Sequence, residues 1–178
     1  IAVDGRLDEP GWQSAPAMRG FIQNEPREGQ AASFDTDVRV LYDEEGIYFG
    51  VVASDPDPSR IIVADLKKDY AVDGSDAFVI LLDTFHDGRN GYQFATNPGG
   101  AKWDAQLANE GRDLNVNWDG IWTVETQITE TGWVAEIAIP FRTLKFADRD
   151  PQTWGINFRR KVRRLNEDSF WSPLPRIY

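Results

Sequence analysis

Loop carboxylates, one histidine and a cluster of cationic side chains are the groups in this sequence that could do chemistry. Asp83, Asp87 and Asp104 stand at the ends of successive apolar or alternating segments; Asp55 and Asp57 share a second loop, and Asp69, Asp73 and Asp76 a third. Oxygen-rich loops suit calcium, which takes about six to eight oxygen ligands in flexible geometry. Asp83, Asp87 and Asp104 are therefore the expected metal set, although no tight DxDxDG loop occurs and solvated carboxylates are the default reading. His86 is the one histidine, and the chain has no cysteine and no G-x-S-x-G elbow. A Ser-His triad would hang on that single residue, which reads as an exposed loop position. Glycoside hydrolysis needs only two carboxylates at a set separation, but 29 acidic residues supply such pairs by chance. None stands out, and the chain reads as non-catalytic.

The cations gather at one place. Arg159, Arg160, Lys161, Arg163 and Arg164 crowd an otherwise acidic chain. Alternation along a strand puts Arg159, Lys161 and Arg163 outward with Asn157, where Glu125 and Glu136 would form a charge ladder with them. Arg160 and Arg164 fall on the inward parity with Trp154 and Phe158. A buried guanidinium requires a partner, and Asp76, Asp104 or Glu167 are the expected ones.

The elements that must position these groups are strands. The run Ala77–Leu82 is continuously apolar and suits a strand buried on both faces. A loop with Asp87-Gly88 and Asn90-Gly91 follows, then Tyr92, Phe94 and Thr96 alternate with Gln93, Ala95 and Asn97. Asn97-Pro98-Gly99-Gly100 turns the chain into a third strand, 101–107, with Trp103 and Ala105 on one face and Lys102, Asp104 and Gln106 on the other. Further strands are expected at 38–42, 47–53, 61–64, 121–128, 133–139 and 154–164, with Asp43–Gly46 and Glu130–Gly132 as hairpin turns. Residues 23–37 and 109–119 read as loops. Asp8-Glu9-Pro10 opens a short helical turn whose Trp12 plugs one end of the core.

Composition narrows the classes. A length of 178 residues suits one domain, residues 1–178, and 41% hydrophobic content is globular. The formal charge of −10 argues against a nucleic-acid partner. No apolar run approaches the ~20 residues that span a bilayer. A start at Ile1 without a signal-like segment is expected of a processed chain or an excised domain. Short strands with many turn signals and few helical patterns make the fold class all-β, a single-domain β-sandwich.

The blocks VDGRLDEPGW, VRVLYDEEGIYFGVVASDPDP, DAFVILLDTFHDGRNGYQFATNPGG, TGWVAEIAIPFRTLKF and WGINFRRKVRRLNEDSFW resemble a family 9 carbohydrate-binding module. They are most similar to the module-like domain at the N-terminus of bacterial envelope proteins that carry a downstream β-barrel. The resemblance implies a jelly-roll-like sandwich, an extracytoplasmic location, structural calcium and a carbohydrate partner. It also implies a sugar end clamped between two rings, here Tyr70 in the loop before the central strand and Trp171 in the C-terminal block. Tyr70 stands where tryptophan is expected. Sugar C–H faces pack on flat rings while hydroxyl edges take polar partners, which adds Gln93, Asn97, Arg164, Asn166 and Glu167 to the ligand-binding set. The alternatives are a protein-interaction lobe with no sugar ligand, and a glycoside hydrolase with unlocated carboxylates. Haem, bound elsewhere among related folds, has only Met18 and His86 as Met or His ligands, and no pocket pattern surrounds either.

Overall fold

The computed structural model describes residues 1–175. One short helix, α1 (Pro10–Ser14), precedes eleven strands: β1 (Ile22–Glu25), β2 (Thr36–Tyr42), β3 (Gly46–Ser54), β4 (Ala77–Asp83), β5 (Gly91–Thr96), β6 (Lys102–Ala108), β7 (Asp113–Asn115), β8 (Thr123–Thr129), β9 (Gly132–Pro140), β10 (Gly155–Val162) and β11 (Glu167–Phe170). They form two antiparallel sheets, one of order β1-β11-β10-β4-β5-β6-β7 and one of order β2-β3-β9-β8. This is the expected all-β sandwich.

The core lies between the sheets. Phe78, Ile80 and Leu82 on β4, Tyr92 and Phe94 on β5, and Phe158 on β10 meet Phe49, Val51, Trp133, Ala135 and Ile137 from the smaller sheet. Alternation sorts the residues cleanly because successive side chains in a strand point to opposite faces. The apolar run of β4 is buried on both faces, since Ala77 and Val79 are covered as fully as Phe78 and Ile80.

Several expectations are corrected by tertiary contacts. Segment 61–64 joins no ladder; it is held by Ile62 and Ala64 bonding to Asp76 and Ser75. Strands β1, β7 and β11 form in stretches too short and polar to show a period. Trp12 does not plug an end of the core but lies on the outside of the smaller sheet. A Cβ on Gly50 would come within 3.0 Å of its ring, so glycine there makes the close approach possible. Glu136 joins no charge ladder either. It is fully buried beneath this N-terminal segment and accepts from Trp12 Nε1 at 3.1 Å, Asp4 N at 2.9 Å and Gly5 N at 3.0 Å.

Between the sheets sits a fully buried guanidinium. Arg160 donates to the Asp35 carbonyl at 2.9 Å, Thr36 Oγ1 at 3.2 Å and the Ser54 carbonyl at 2.7 Å. Its direct partners are thus carbonyls and a hydroxyl rather than the expected carboxylates. Burial lowers its pKa to about 10, against the opposing fields of Asp76, Asp55 and Glu167.

Replacing Glu136 with alanine leaves the Trp12 indole and two backbone N–H groups without acceptors, a loss of about 3 kcal/mol. Thermal unfolding of Glu136→Ala is expected to begin about 6–12 °C lower than wild type.

Candidate functional site

The outer face of the seven-stranded sheet carries a cluster of charged groups around β10. Register places Phe170, Arg159, Val79, Ala95 and Trp103 in one row across β11, β10, β4, β5 and β6. The adjacent row runs Asn157, Leu81, Gln93 and Ala105. Arg159 donates to Asp168 and to Asp73, each at 2.7 Å, and Lys161 reaches Asp168 at 3.3 Å. Burial would lower the Arg159 pKa, but the two carboxylates outweigh it and the net shift is upward. Asp73 is likewise held below the usual carboxylate range, Arg159 outweighing the cost of its burial.

Tyr70 lies beside this pair. The loop that carries it is pinned by Asp69 N donating to the Lys102 carbonyl at 2.8 Å and by Asn97 Nδ2 donating to the Asp65 carbonyl at 2.6 Å. The phenol is only 3% exposed and its buried hydroxyl has no hydrogen-bond partner. Burial raises its pKa, partly offset by the Arg159 charge. Further along the same face an open groove of about 450 Å³ is lined by Leu81, Asn157, Leu107, Arg89, Glu110 and Leu174. The C-terminal segment crosses here, held by Asn157 to the Ser172 backbone and by Asn24 to the Leu174 carbonyl.

The seven expected binding residues do not assemble. Tyr70 and the half-buried Gln93 are on this outer face. Asn97 is saturated: its oxygen accepts from Gly99 N and Ala101 N while its nitrogen holds Asp65, so it caps the turn. Arg164 makes a bidentate pair with Asp55, both bonds 2.7 Å, and packs over Phe34. Asp55 was not among the partners expected for it. Glu167 points inward and accepts from Ser33 N and Ser33 Oγ. Asn166 occupies the left-handed region, φ 48°, and accepts from Arg163.

Trp171 packs on Phe158 at the core edge, their centroids 5.9 Å apart, so it faces away from Tyr70 and the expected clamp is not formed. The C-terminal ring on the Tyr70 side is its neighbour Phe170. Sequence reasoning missed Phe170, Asp73 and Asp168. A strand parity through Glu167, Asp168, Ser169 and Phe170 would have found Asp168 and Phe170, but four residues are too few to announce a strand, and no local pattern marks Asp73 as the partner of Arg159.

The acidic residues are also redistributed. Asp83 caps its own loop, accepting from Asp87 N and Gly88 N, and Asp87 accepts from Arg89 N and Asn90 N. Asp104 is on the opposite face of the sheet, fully buried, accepting from Trp122 Nε1 at 2.8 Å. The expected calcium set is therefore not brought together. Asp104 instead joins Asp69 and Asp119, whose oxygens lie within 4.8 Å of one another, and the Lys68 ammonium sits among them at 2.6–3.3 Å. His86, with φ 51°, is an exposed loop residue.

The wider sheet thus carries on its outer face an ion-paired group around Arg159, with Phe170 opposite it and an open groove farther along. The chain belongs to the carbohydrate family 9 binding domain-like family, whose model matches residues 3–164. Its fold resembles a family 9 carbohydrate-binding module from Caldicellulosiruptor kristjanssonii, solved with cellotriose (TM-score 0.67, 14% identity, 96% of this chain and 78% of that one). The glucose complex from the same organism gives a TM-score of 0.70 at 14% identity, covering 96% and 81%. A Bacteroides uniformis protein whose name carries carbohydrate binding aligns with TM-score 0.75 at 11% identity over 93% and 81%. No curated protein sequence matches the chain.

Two substitutions test the electrostatics. In Arg164→Met the buried Asp55 carboxylate loses its partner, a loss of about 3 kcal/mol at neutral pH. Burial opposes ionisation of Asp55, but the Arg164 bond and the Asp57 N–H outweigh it, so its pKa is lowered. Such a group stabilises above its unfolded pKa and loses that contribution as pH falls through the folded value. Urea unfolding should show the wild-type advantage shrinking below about pH 4.

In Lys68→Met three carboxylates face each other unneutralised, and stability is expected to drop by about 1–3 kcal/mol. Burial pulls the Lys68 pKa down, but Asp69, Asp119 and Asp104 outweigh it and the net shift is upward. The contribution of Lys68 is therefore complete below its unfolded pKa, about 10, and is lost progressively as pH rises from there through the higher folded value. The deficit of the variant should fade in alkali.

Proposed function

We propose that this domain is a non-catalytic carbohydrate-binding module that holds a saccharide on the outer face of its seven-stranded sheet. The observation that carries the reading is the juxtaposition of Tyr70, Phe170 and the Arg159–Asp73–Asp168 group. Phe170 stands opposite Arg159 on that face, with Asp73 and Asp168 paired to the guanidinium, while Tyr70 is buried and supports the group rather than offering a ring face. Gln93 stands in the next row of the floor. Ring faces take the C–H face of a pyranose, and Arg, Asp and Gln take its hydroxyl edge.

Membership of the family supports carbohydrate as the ligand class, and the structural neighbours solved with cellotriose and glucose suggest β-glucans as the first probes. The same reading makes the domain part of an extracytoplasmic or envelope protein, consistent with a cysteine-free, acidic chain. A downstream β-barrel is part of that proposal.

Titration calorimetry with glucose and cellotriose tests the site. Phe170→Ala and Asp73→Ala should each weaken binding about tenfold, roughly 1.4 kcal/mol, with the melting curve nearly unchanged for the exposed Asp73. Trp171→Ala should lower stability yet leave affinity within about twofold. The reverse pattern, with binding lost in Trp171→Ala and kept in Phe170→Ala, would overturn the assignment.

A further inference from the structure

At the end of the sandwich where β2 leads into β3, a second cavity of about 560 Å³ opens apart from the groove on the wider sheet. Four of its walls are aromatic. Phe141, Phe146 and Trp154 touch one another with centroids 5.7–6.2 Å apart, and Tyr42 stands beside them with 80% of its surface exposed. Ile47 completes the apolar lining, and Asp43 and Asp150 supply two carboxylates. Among the described residues no lysine, arginine or histidine lines it, whereas the groove on the wider sheet contains Arg89 and the cleft beneath β7 contains Arg112 and Lys145.

Two of the polar groups of this cavity, Gln152 and Asp43, are already committed to internal hydrogen bonds. Gln152 Nε2 donates to the Ala147 and Arg149 carbonyls, and its oxygen accepts from Trp154 Nε1. Asp43 accepts from Glu45 N, Gly46 N and the Tyr48 hydroxyl. A sugar would find few hydrogen-bond partners here. What remains available is negative charge and aromatic surface, and both favour a bulky, weakly hydrated cation.

We propose that this cavity is a binding site for a substituted ammonium group. Its aromatic walls would contact the methyl groups, and Asp43 and Asp150 would supply the balancing charge. The net charge of −10 favours the approach of cations to the surface generally. The local arrangement would select those with apolar substituents over sodium, because a small ion does not shed its water for aromatic contact.

Calorimetry and saturation-transfer NMR on the whole chain, with choline chloride and tetramethylammonium chloride at constant ionic strength, test the proposal. Both should bind in the millimolar range. The uncharged choline analogue with carbon in place of nitrogen should bind at least about tenfold more weakly. Tyr42→Ala, at a position too exposed to matter for folding, should weaken choline binding about fivefold, and Asp150→Asn should act in the same direction. Trp154→Ala is the stronger probe only if its circular dichroism matches wild type.

Equal affinity for the uncharged analogue would show a merely apolar pocket and overturn the assignment. Absence of choline signals would do the same, as would glucose competing with choline at a site sensitive to Tyr42→Ala. Because sugar binding on the wider sheet is read with Phe170→Ala and Asp73→Ala, the two sites fail independently.

Discussion

The arrangement depends on a cation held where water cannot reach it. Arg160 lies between the sheets, donating to the backbone of Asp35 and Ser54 on one side while its own strand runs through the other. A guanidinium in such a place needs acceptors for its donors, and here the two terminal nitrogens find the Asp35 and Ser54 carbonyls and the Thr36 hydroxyl while Nε is left without one. Its inward direction dictates the parity of β10. Because side chains alternate, Arg159 and Lys161 must then face outward, where they meet Asp73 and Asp168. A slip of one residue would exchange the two sets and bury the wrong cations.

A second consequence concerns how the acidic chain is neutralised. Several of its carboxylates cap loops or sit against particular cations, as Asp55 does with Arg164 and Asp104 with Lys68. The buried Asp76, whose pKa burial raises, accepts from the backbone of Ile62 and Arg163 and so ties the loop before β4 to the end of β10. That loop carries Tyr70 and Asp73. The internal electrostatics and the candidate site are therefore one construction: the groups that anchor the loop also bring its Asp73 to Arg159.

The sandwich ends are finished differently from its faces. Trp12 and Glu136 seal the outside of the smaller sheet, leaving the outer face of the wider sheet to the Arg159 group. Aromatic residues that do not fit between the sheets collect at the end near Trp154. The chain thus has aromatic side chains in two chemical settings, one beside paired cations, the other beside carboxylates and, among the described residues, without a cation.

The period-two alternation of β5, β9 and β10, the apolar run of β4 and the turn residues between them were sufficient to define an all-β sandwich, since they record only which side of a strand meets water. The same alternation put Arg160 inside. It could not say which sheet a strand joins, so Glu136 was expected beside Arg159 although they belong to different sheets. Nor could it name partners far apart in the chain, such as Asp73 with Arg159 or Asp55 with Arg164. Phe170 and Trp171 differ by one position, and only the pairing of β11 with β10 decides which ring faces the ligand side. Local pattern is set by the chain itself, whereas the meeting of distant residues is set by register and packing, and the candidate site is made almost wholly of such meetings.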